Sequence, residues 1–438
     1  MSGLNETHDP ALRSWVESAN GATTDFPIQN LPFGVISPNG VEDDRIAVAI
    51  GDSVLDLRAC FRAGLLDGLA GDKSHAVFEA RTLNGLMAQQ PDVWSALRLC
   101  LSRGLREGAT QQARLSPHLL AMHDIALKLP SRIGDFTDFY CSIEHATNGG
   151  KMSRPDNPLM PNFTSLPVGY NGRASSIVVS EVGIVRPRGQ FSKDGKIVFG
   201  PTEMLDFELE VGAFIGTGNP QFRAIPLSEA PEHFFGICLL NDWSSRDVQS
   251  WEYQPLGPFL SKGFATTISG WVITQEALAP FRVPARPRDK EHGEALEYLR
   301  DANNDARGGL GLRLEVRLHS ENMRQNAQPP EVITATGFDS MFWTIPQMIT
   351  HHSSNGCPMR PGDLLGSGTV SQYGEKAQGC LSEITWRGTN PIQLENGETR
   401  AYLLDGDEVV MTGYCTAPGA RRIGLGVCSG RVLASLPK

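Results

Sequence analysis

Two stretches of this chain carry ionisable side chains that could act together. One is Asp206-Phe207-Glu208-Leu209-Glu210, and the other is Asp138-Phe139-Tyr140-Cys141-Ser142-Ile143-Glu144-His145. In a strand, alternate side chains face the same way. Asp206, Glu208 and Glu210 are then expected on one face, and Phe207, Leu209 and Val211 on the other. Carboxylates about 7 Å apart on one face repel and raise one another's pKa. Solvent can absorb that cost, or a bound cation can reverse it. With a cation there, Asp138 and His145 are natural partners, and the chemistry is that of a metal-dependent hydrolase.

A third stretch runs from Asn241-Asp242-Trp243 through Ser244-Ser245-Arg246-Asp247-Val248-Gln249 to Tyr253. Taken as a helix, it sets Asp242, Arg246, Gln249 and Tyr253 within about 60° of one another around the axis. Pro255 ends the run, and Lys262 and Thr266 follow. An ammonium, a guanidinium and an amide near one carboxylate suit anion binding or oxyanion stabilisation. Alone, each pattern also fits a half-exposed strand, a salt-bridged helix surface or a histidine satisfied by a neighbour. His351 and His352 are adjacent, so they point apart and are expected to be structural. Gly366-Ser367-Gly368-Thr369 lacks the Gly-Lys-Ser/Thr ending of a phosphate loop, so no nucleotide site is expected. It is the co-occurrence of the patterns that singles out a site.

The chain has 438 residues, room for roughly two or three domains. Its net charge of −10 disfavours a nucleic-acid partner and requires a local cationic pocket for any anionic substrate. The 46 glycines and 29 prolines favour turns and short strands over long helices. Eight scattered cysteines form no CxxC pair, which suggests free thiols in a reducing compartment. The polar N-terminal residues do not resemble a secretory signal, and no apolar run approaches the roughly 20 residues that span a bilayer. A cytoplasmic protein without a membrane partner is expected.

The elements that must position these residues divide the chain at about residue 125. Within 1–125, Ile46, Val48 and Ile50 lead through Gly51-Asp52-Ser53 to Val54, Leu55 and Leu57, a hairpin pattern. Pro91 opens a helix bearing Trp94, Leu97, Leu101 and Leu105, with Gly104 as its expected stop. This suggests a small β-barrel-like domain with a helix or two and no catalytic residue. Ala109 to Pro130 is expected to be a connector. Within 126–438 the chain is strand-rich, with a hairpin turn at Asp194-Gly195 and clean alternation at Leu312, Leu314, Val316 and Leu318. Residues 284–309 are polar and are expected to form a surface excursion.

The ordered set of motifs is long and specific. It comprises Gly134-Asp135-Phe136-Thr137-Asp138-Phe139-Tyr140 with His145-Ala146-Thr147-Asn148, then Leu166-Pro167-Val168-Gly169-Tyr170 and Gly172-Arg173-Ala174-Ser175-Ser176. Asp206-x-Glu208-x-Glu210, Asn241-Asp242-Trp243-Ser244-x-Arg246-Asp247 and Pro361-Gly362-Asp363-Leu364-Leu365-x-Ser367-Gly368-Thr369 complete it. The set resembles the fumarylacetoacetase family in order over nearly the whole chain. The resemblance implies a homodimer that is mainly β (α+β), with an SH3-like N-terminal β-barrel and a mixed β-sandwich roll as catalytic domain. It implies hydrolysis of a carbon–carbon bond in 4-fumarylacetoacetate, a dianionic diketo acid, to fumarate and acetoacetate in tyrosine and phenylalanine catabolism.

Carried over by position, the resemblance makes Asp138, Glu208, Glu210 and Asp242 ligands of Ca²⁺, and sets Mg²⁺ beside Asp242, Lys262 and Thr266. Lys262 would ligate through its backbone carbonyl, since an ammonium offers no lone pair. His145 becomes the base and Glu383 its partner; Arg246, Gln249 and Lys262 stabilise the oxyanion; Tyr140, Arg154, Tyr170, Gln249, Tyr253 and Thr369 contact substrate. All-oxygen ligands suit a hard cation, and a cation suits a reaction that expels a carbanion as an enolate. Glu144, the stretch from Gly149 to Asp156 and the loop between Thr369 and Glu383 depart from the family pattern, which makes Arg154 the least anchored carry-over. Acylpyruvate hydrolases and dienoate decarboxylases or hydratases of the same superfamily are the rival reading; they tend to lack the N-terminal domain.

Overall fold

Gly51 and Asp52 turn the chain between two paired strands, Arg45–Ile50 and Ser53–Asp56, as the hairpin pattern predicts. The computed structural model describes residues 3–437 and is a sheet-rich α+β protein. Phe33–Pro38 pairs with the first hairpin strand, and Leu119–Ala121 pairs with the second. The expected connector is therefore partly sheet: Ile125–Lys128 also pairs with Val35–Pro38. Strands of three and four residues are too short to show a period, which is why they read as linker. The helix Pro91–Leu105 buries Trp94, Leu97, Leu101 and Leu105. Gly104 does not stop it. A Cβ there would stand 2.7 Å from the Leu115 side chain, so close packing explains this glycine.

The N-terminal strands are continuous with the main sheet. Phe33 and Gly34 pair with Val272 and Trp271, and a Cβ at Gly34 would meet the Trp271 ring at 2.6 Å. From Trp271–Thr274 the sheet runs through Phe234–Asp242, Leu209–Ile215, Leu364–Gly366 and Phe136–Phe139 to Gly169–Asn171. A second sheet of five strands contains Glu331–Gly337, Leu312–His319, Glu408–Cys415, Ile423–Leu433 and Ile184–Val185. Its alternation buries Leu312, Leu314, Val316 and Leu318. The two sheets share one core, in which Leu209, Val211, Ile237 and Leu239 join Leu314, Val316 and Met411. The opposite face of the main sheet contributes Phe214, Phe235, Cys238 and Leu240 to the core of the N-terminal unit.

Strand period therefore fixes the site. Leu209 and Val211 point into the sandwich, so Glu210 points the other way, as do Asp138 next to Phe139 and Asp242 beyond Leu240. Three carboxylates from three strands of one sheet come to a common face.

Phe235 is fully buried, 5.2 Å from the Trp94 ring and 6.1 Å from that of Phe33. Phe235→Ala should cost about 3–5 kcal/mol of unfolding free energy. Because this core joins both parts of the chain, urea denaturation curves by tryptophan fluorescence and far-UV circular dichroism should shift together.

Candidate active site

Asp138, Glu208, Glu210 and Asp242 each offer an oxygen within 4.8 Å of the other three, and all four are buried. Gly366 lies between them in the sheet, opposite Asp138 on one neighbour and Gly212 on the other. A Cβ at Gly366 would sit 2.6 Å from Asp138 Oδ1 and 3.0 Å from Glu210 Oε2. The glycine keeps the concavity open. Asp138 Oδ1 and Glu210 Oε1 are buried without a hydrogen-bond donor, a costly state for carboxylate oxygens. Burial and then the neighbouring Asp242 push the Asp138 carboxyl well above its ordinary range. Burial and then Asp138 do the same to Glu210. Unpaired all-oxygen donors around a gap fit a hard divalent cation.

Asp206 is not part of this group. The strand breaks after Asp206, and its carboxylate instead accepts from Arg246 Nε at 2.9 Å and from the Leu381 and Ser382 amides at 2.8 and 3.0 Å. The expected shared face thus holds for Glu208 and Glu210 alone. The helical stripe is also revised. Asp242 ends the strand Phe234–Asp242, and the helix begins at Arg246 and runs to Glu252. The apolar run before Asp242 is a buried strand, and the i, i+4 spacing to Arg246 bridges a turn.

Two cations flank the carboxylates. Lys262 donates to Glu208 and lies 3.1 Å from Asp242 Oδ2. Arg246 Nη1 lies 2.7 Å from Glu208 Oε1. Burial would raise the Glu208 carboxyl, but Lys262 and Arg246 outweigh it and hold that carboxyl well below its ordinary range. Burial would likewise lower the Lys262 ammonium, but Asp242 and Glu208 push it up. Thr266 Oγ1 donates to Asp242 Oδ1 at 2.8 Å, and the Tyr170 hydroxyl donates to Oδ2 at 3.0 Å. Asp242, Lys262 and Thr266, the residues expected around a second cation, therefore adjoin one another.

His145 sits in the first turn of the helix Ile143–Ser153, where the Ser142 hydroxyl accepts from its backbone amide at 3.2 Å. Its Nδ1 is 2.5 Å from Glu383 Oε2. Asn148 and Ser371 also donate to Glu383, at 2.9 and 2.8 Å. Burial would raise this carboxyl, yet the imidazole and these bonds hold it below its ordinary range. The arrangement leaves Nε2 as the free ring nitrogen. Asp206 holds the Leu381–Ile384 segment through two amides and so ties Arg246 to the turn that carries Glu383. Glu144, beside the histidine, is held by Arg286 at 2.6 Å. Arg286 comes from the polar excursion, which is pinned to the body, as is Arg288 over the Phe342 ring at 4.5 Å.

A cavity of about 500 Å³ joins these groups. Asp138, Glu208, His145, Glu383, Arg246, Gln249, Lys262, Tyr140, Arg154, Tyr170, Tyr253 and Thr369 all line it. Arg246 Nη2 and Thr369 Oγ1 are buried without a partner. Tyr140 packs edge-on against the His145 ring at 5.1 Å. Tyr253 is 39% exposed at the helix end. Arg154 caps the His145 helix. Glu210, Asp242 and Thr266 lie behind the lining. The sequence reading missed Met152, Leu256, Cys380, Ser382 and Arg387, which also line the cavity. None belongs to a periodic or charged pattern, so no sequence signal marks them. His351 and His352 stay outside; His352 Nε2 is 2.7 Å from Thr137 Oγ1.

Residues 135–433 match the family model described as fumarylacetoacetate (FAA) hydrolase C-terminal, and residues 29–130 match the one described as fumarylacetoacetase N-terminal. The chain is 46% identical over 423 residues to the fumarylacetoacetase of Homo sapiens, covering 94% of this chain and 97% of that one. It is 43% identical over 435 residues to the fumarylacetoacetase of Arabidopsis thaliana, covering 97% and 99%.

Raised folded-state pKa values for Asp138 and Glu210 add stability below the unfolded carboxyl range, and that contribution is lost as pH rises. A divalent cation should reverse this trend and release protons as it binds. Calorimetry in two buffers of different ionisation enthalpy should report that release, with affinity falling as pH drops. Ca²⁺ or Mg²⁺ at about a hundredfold excess over its Kd should stabilise the protein by about 2.7 kcal/mol, read as a rise in Tm. Glu210→Gln should remove most of that rise.

Proposed function

The chain belongs to the fumarylacetoacetate hydrolase family, and we infer that it hydrolyses the carbon–carbon bond of 4-fumarylacetoacetate to fumarate and acetoacetate. The observation that carries this reading is near-full-length similarity to fumarylacetoacetases from animals and plants, joined to a buried carboxylate group beside a His–Glu pair in one cavity.

In this reading, His145 Nε2 takes a proton from water, and the hydroxide attacks the carbonyl carbon next to the scissile bond. Glu383 keeps the other ring nitrogen protonated and stabilises the imidazolium. Arg246, Gln249 and Lys262 offset the tetrahedral oxyanion. The unpartnered Arg246 Nη2 and the Gln249 amide, whose oxygen already accepts from Arg246 at 3.2 Å, support that role. When bound at Asp138, Glu208, Glu210 and Asp242, a divalent cation supplies Lewis-acid stabilisation of the enolate charge on the leaving group. The imidazolium then returns the proton to the departing carbon. Tyr140, Arg154, Tyr170, Tyr253 and Thr369 position the substrate.

The reading extends to Ca²⁺ at the four carboxylates and Mg²⁺ beside Asp242, Lys262 and Thr266. It extends also to a cytoplasmic homodimer acting in tyrosine and phenylalanine breakdown. The oxygen-only donors support hard cations, and eight free cysteines support a reducing compartment. No helix among the described residues is long and apolar enough to cross a membrane.

His145→Ala should bind the cation as the parent does and lose turnover by about 10²-fold or more. Fumarate and acetoacetate quantified by chromatography should appear in equal amounts with the parent enzyme. Full activity in the variant would refute the assigned base.

A further inference from the structure

We propose that Arg387 is a second carboxylate-recognising residue of the cavity and gives it a preference for dicarboxylates over monocarboxylates. The inference rests on the hydrolytic reading above, in which the substrate carries a carboxylate at each end.

Four permanently cationic side chains line the cavity: Arg154, Arg246, Lys262 and Arg387. Two of them are already ion-paired with carboxylates of the protein. Arg246 pairs with Asp206 and Glu208, and Lys262 with Glu208 and Asp242. Arg154 has only 3.4 Å contacts to the Ser153 hydroxyl and the Pro158 carbonyl. Arg387 makes no ion pair or side-chain hydrogen bond among the described residues. Of the cationic residues that line the cavity, Arg154 and Arg387 are therefore the two with no carboxylate partner. A dianion entering a chamber lined by Asp138, Glu208 and Glu383 meets repulsion that these two groups can offset. A planar guanidinium is also suited to holding a carboxylate through two parallel bonds.

The backbone around Arg387 is held in a defined turn. Trp386, Arg387 and Gly388 all take left-handed conformations, with φ of 50°, 55° and 81°. Two non-glycine residues in that region carry strain that the surroundings must hold. The Arg387 amide donates to the Ser382 carbonyl at 2.8 Å, and the Gly388 amide to Thr385 Oγ1 at 2.9 Å. This turn directly follows the segment bearing Glu383. It sets Arg387, an exposed residue of the cavity lining, four residues after Glu383, whereas Arg154 stands at the C-terminal end of the His145 helix.

The test uses the full-length, cation-loaded protein and two readouts. In steady-state kinetics on 4-fumarylacetoacetate, Arg387→Gln should raise KM about tenfold while kcat stays within about twofold, and Arg387→Lys should recover part of the loss. Calorimetry should show the parent binding octanedioate, a dicarboxylate of the same chain length, about tenfold more tightly than octanoate. Arg387→Gln should close that gap. A preference for octanedioate unchanged in Arg387→Gln, or an equal loss on both acids, overturns the proposal. The binding readout needs no turnover. Failure of the parent to cleave fumarylacetoacetate would thus count against the hydrolytic reading alone, and the octanedioate comparison would still decide the role of Arg387.

Discussion

Mutual repulsion among Asp138, Glu208, Glu210 and Asp242 is the constraint around which this molecule is arranged. Four buried carboxylates with oxygens within 4.8 Å of one another cannot all be charged without compensation. Part of the compensation is built in, since Lys262 and Arg246 converge on Glu208 and Lys262 and Tyr170 on Asp242. The remainder, at Asp138 and Glu210, is left to a proton or a cation. The folding cost is met by the two hydrophobic cores on either side of the main sheet. The same strands that bury Leu209, Val211 and Leu239 deliver Glu210 and Asp242.

The polar network extends this constraint to the reacting groups. Asp206 accepts from Arg246 and from two amides of the turn that carries Glu383, as well as from the amide of Phe207. Glu383 in turn fixes the His145 ring. Cation site, oxyanion donors and base are thus linked by ion pairs and hydrogen bonds, while Asp138 Oδ1, Glu210 Oε1 and Arg246 Nη2 are left without a partner. Such a network holds its members within tight geometric limits, as a chemical step requires.

Much of the site was legible because it rests on residue type and period. Glu208 and Glu210, His145 and Arg246 stand out in the sequence as groups that are costly to bury. The hairpins at Gly51 and at Asp194-Gly195 were legible from turn chemistry. What the sequence concealed depends on register and on tertiary packing. Asp242 reads as part of a helical stripe because its spacing to Arg246 is helical, although the buried strand runs through it. Asp206 reads as a sister of Glu208, yet a break in the strand turns it toward Arg246. Gly366 looks like any loop glycine until the sheet places it against Asp138 and Glu210. Arg387 belongs to no pattern, because a left-handed turn and not a helix or strand presents it. The strands at 119–121 and 125–128 were hidden by their shortness.

The most direct test of the account is the rate of loss of the conjugated-diketone absorbance of fumarylacetoacetate, measured on protein stripped with a chelator and then titrated with Ca²⁺ or Mg²⁺. Negligible loss is expected in the stripped protein, with recovery that saturates with the cation. An undiminished rate in the fully stripped protein would contradict the role assigned to the four carboxylates.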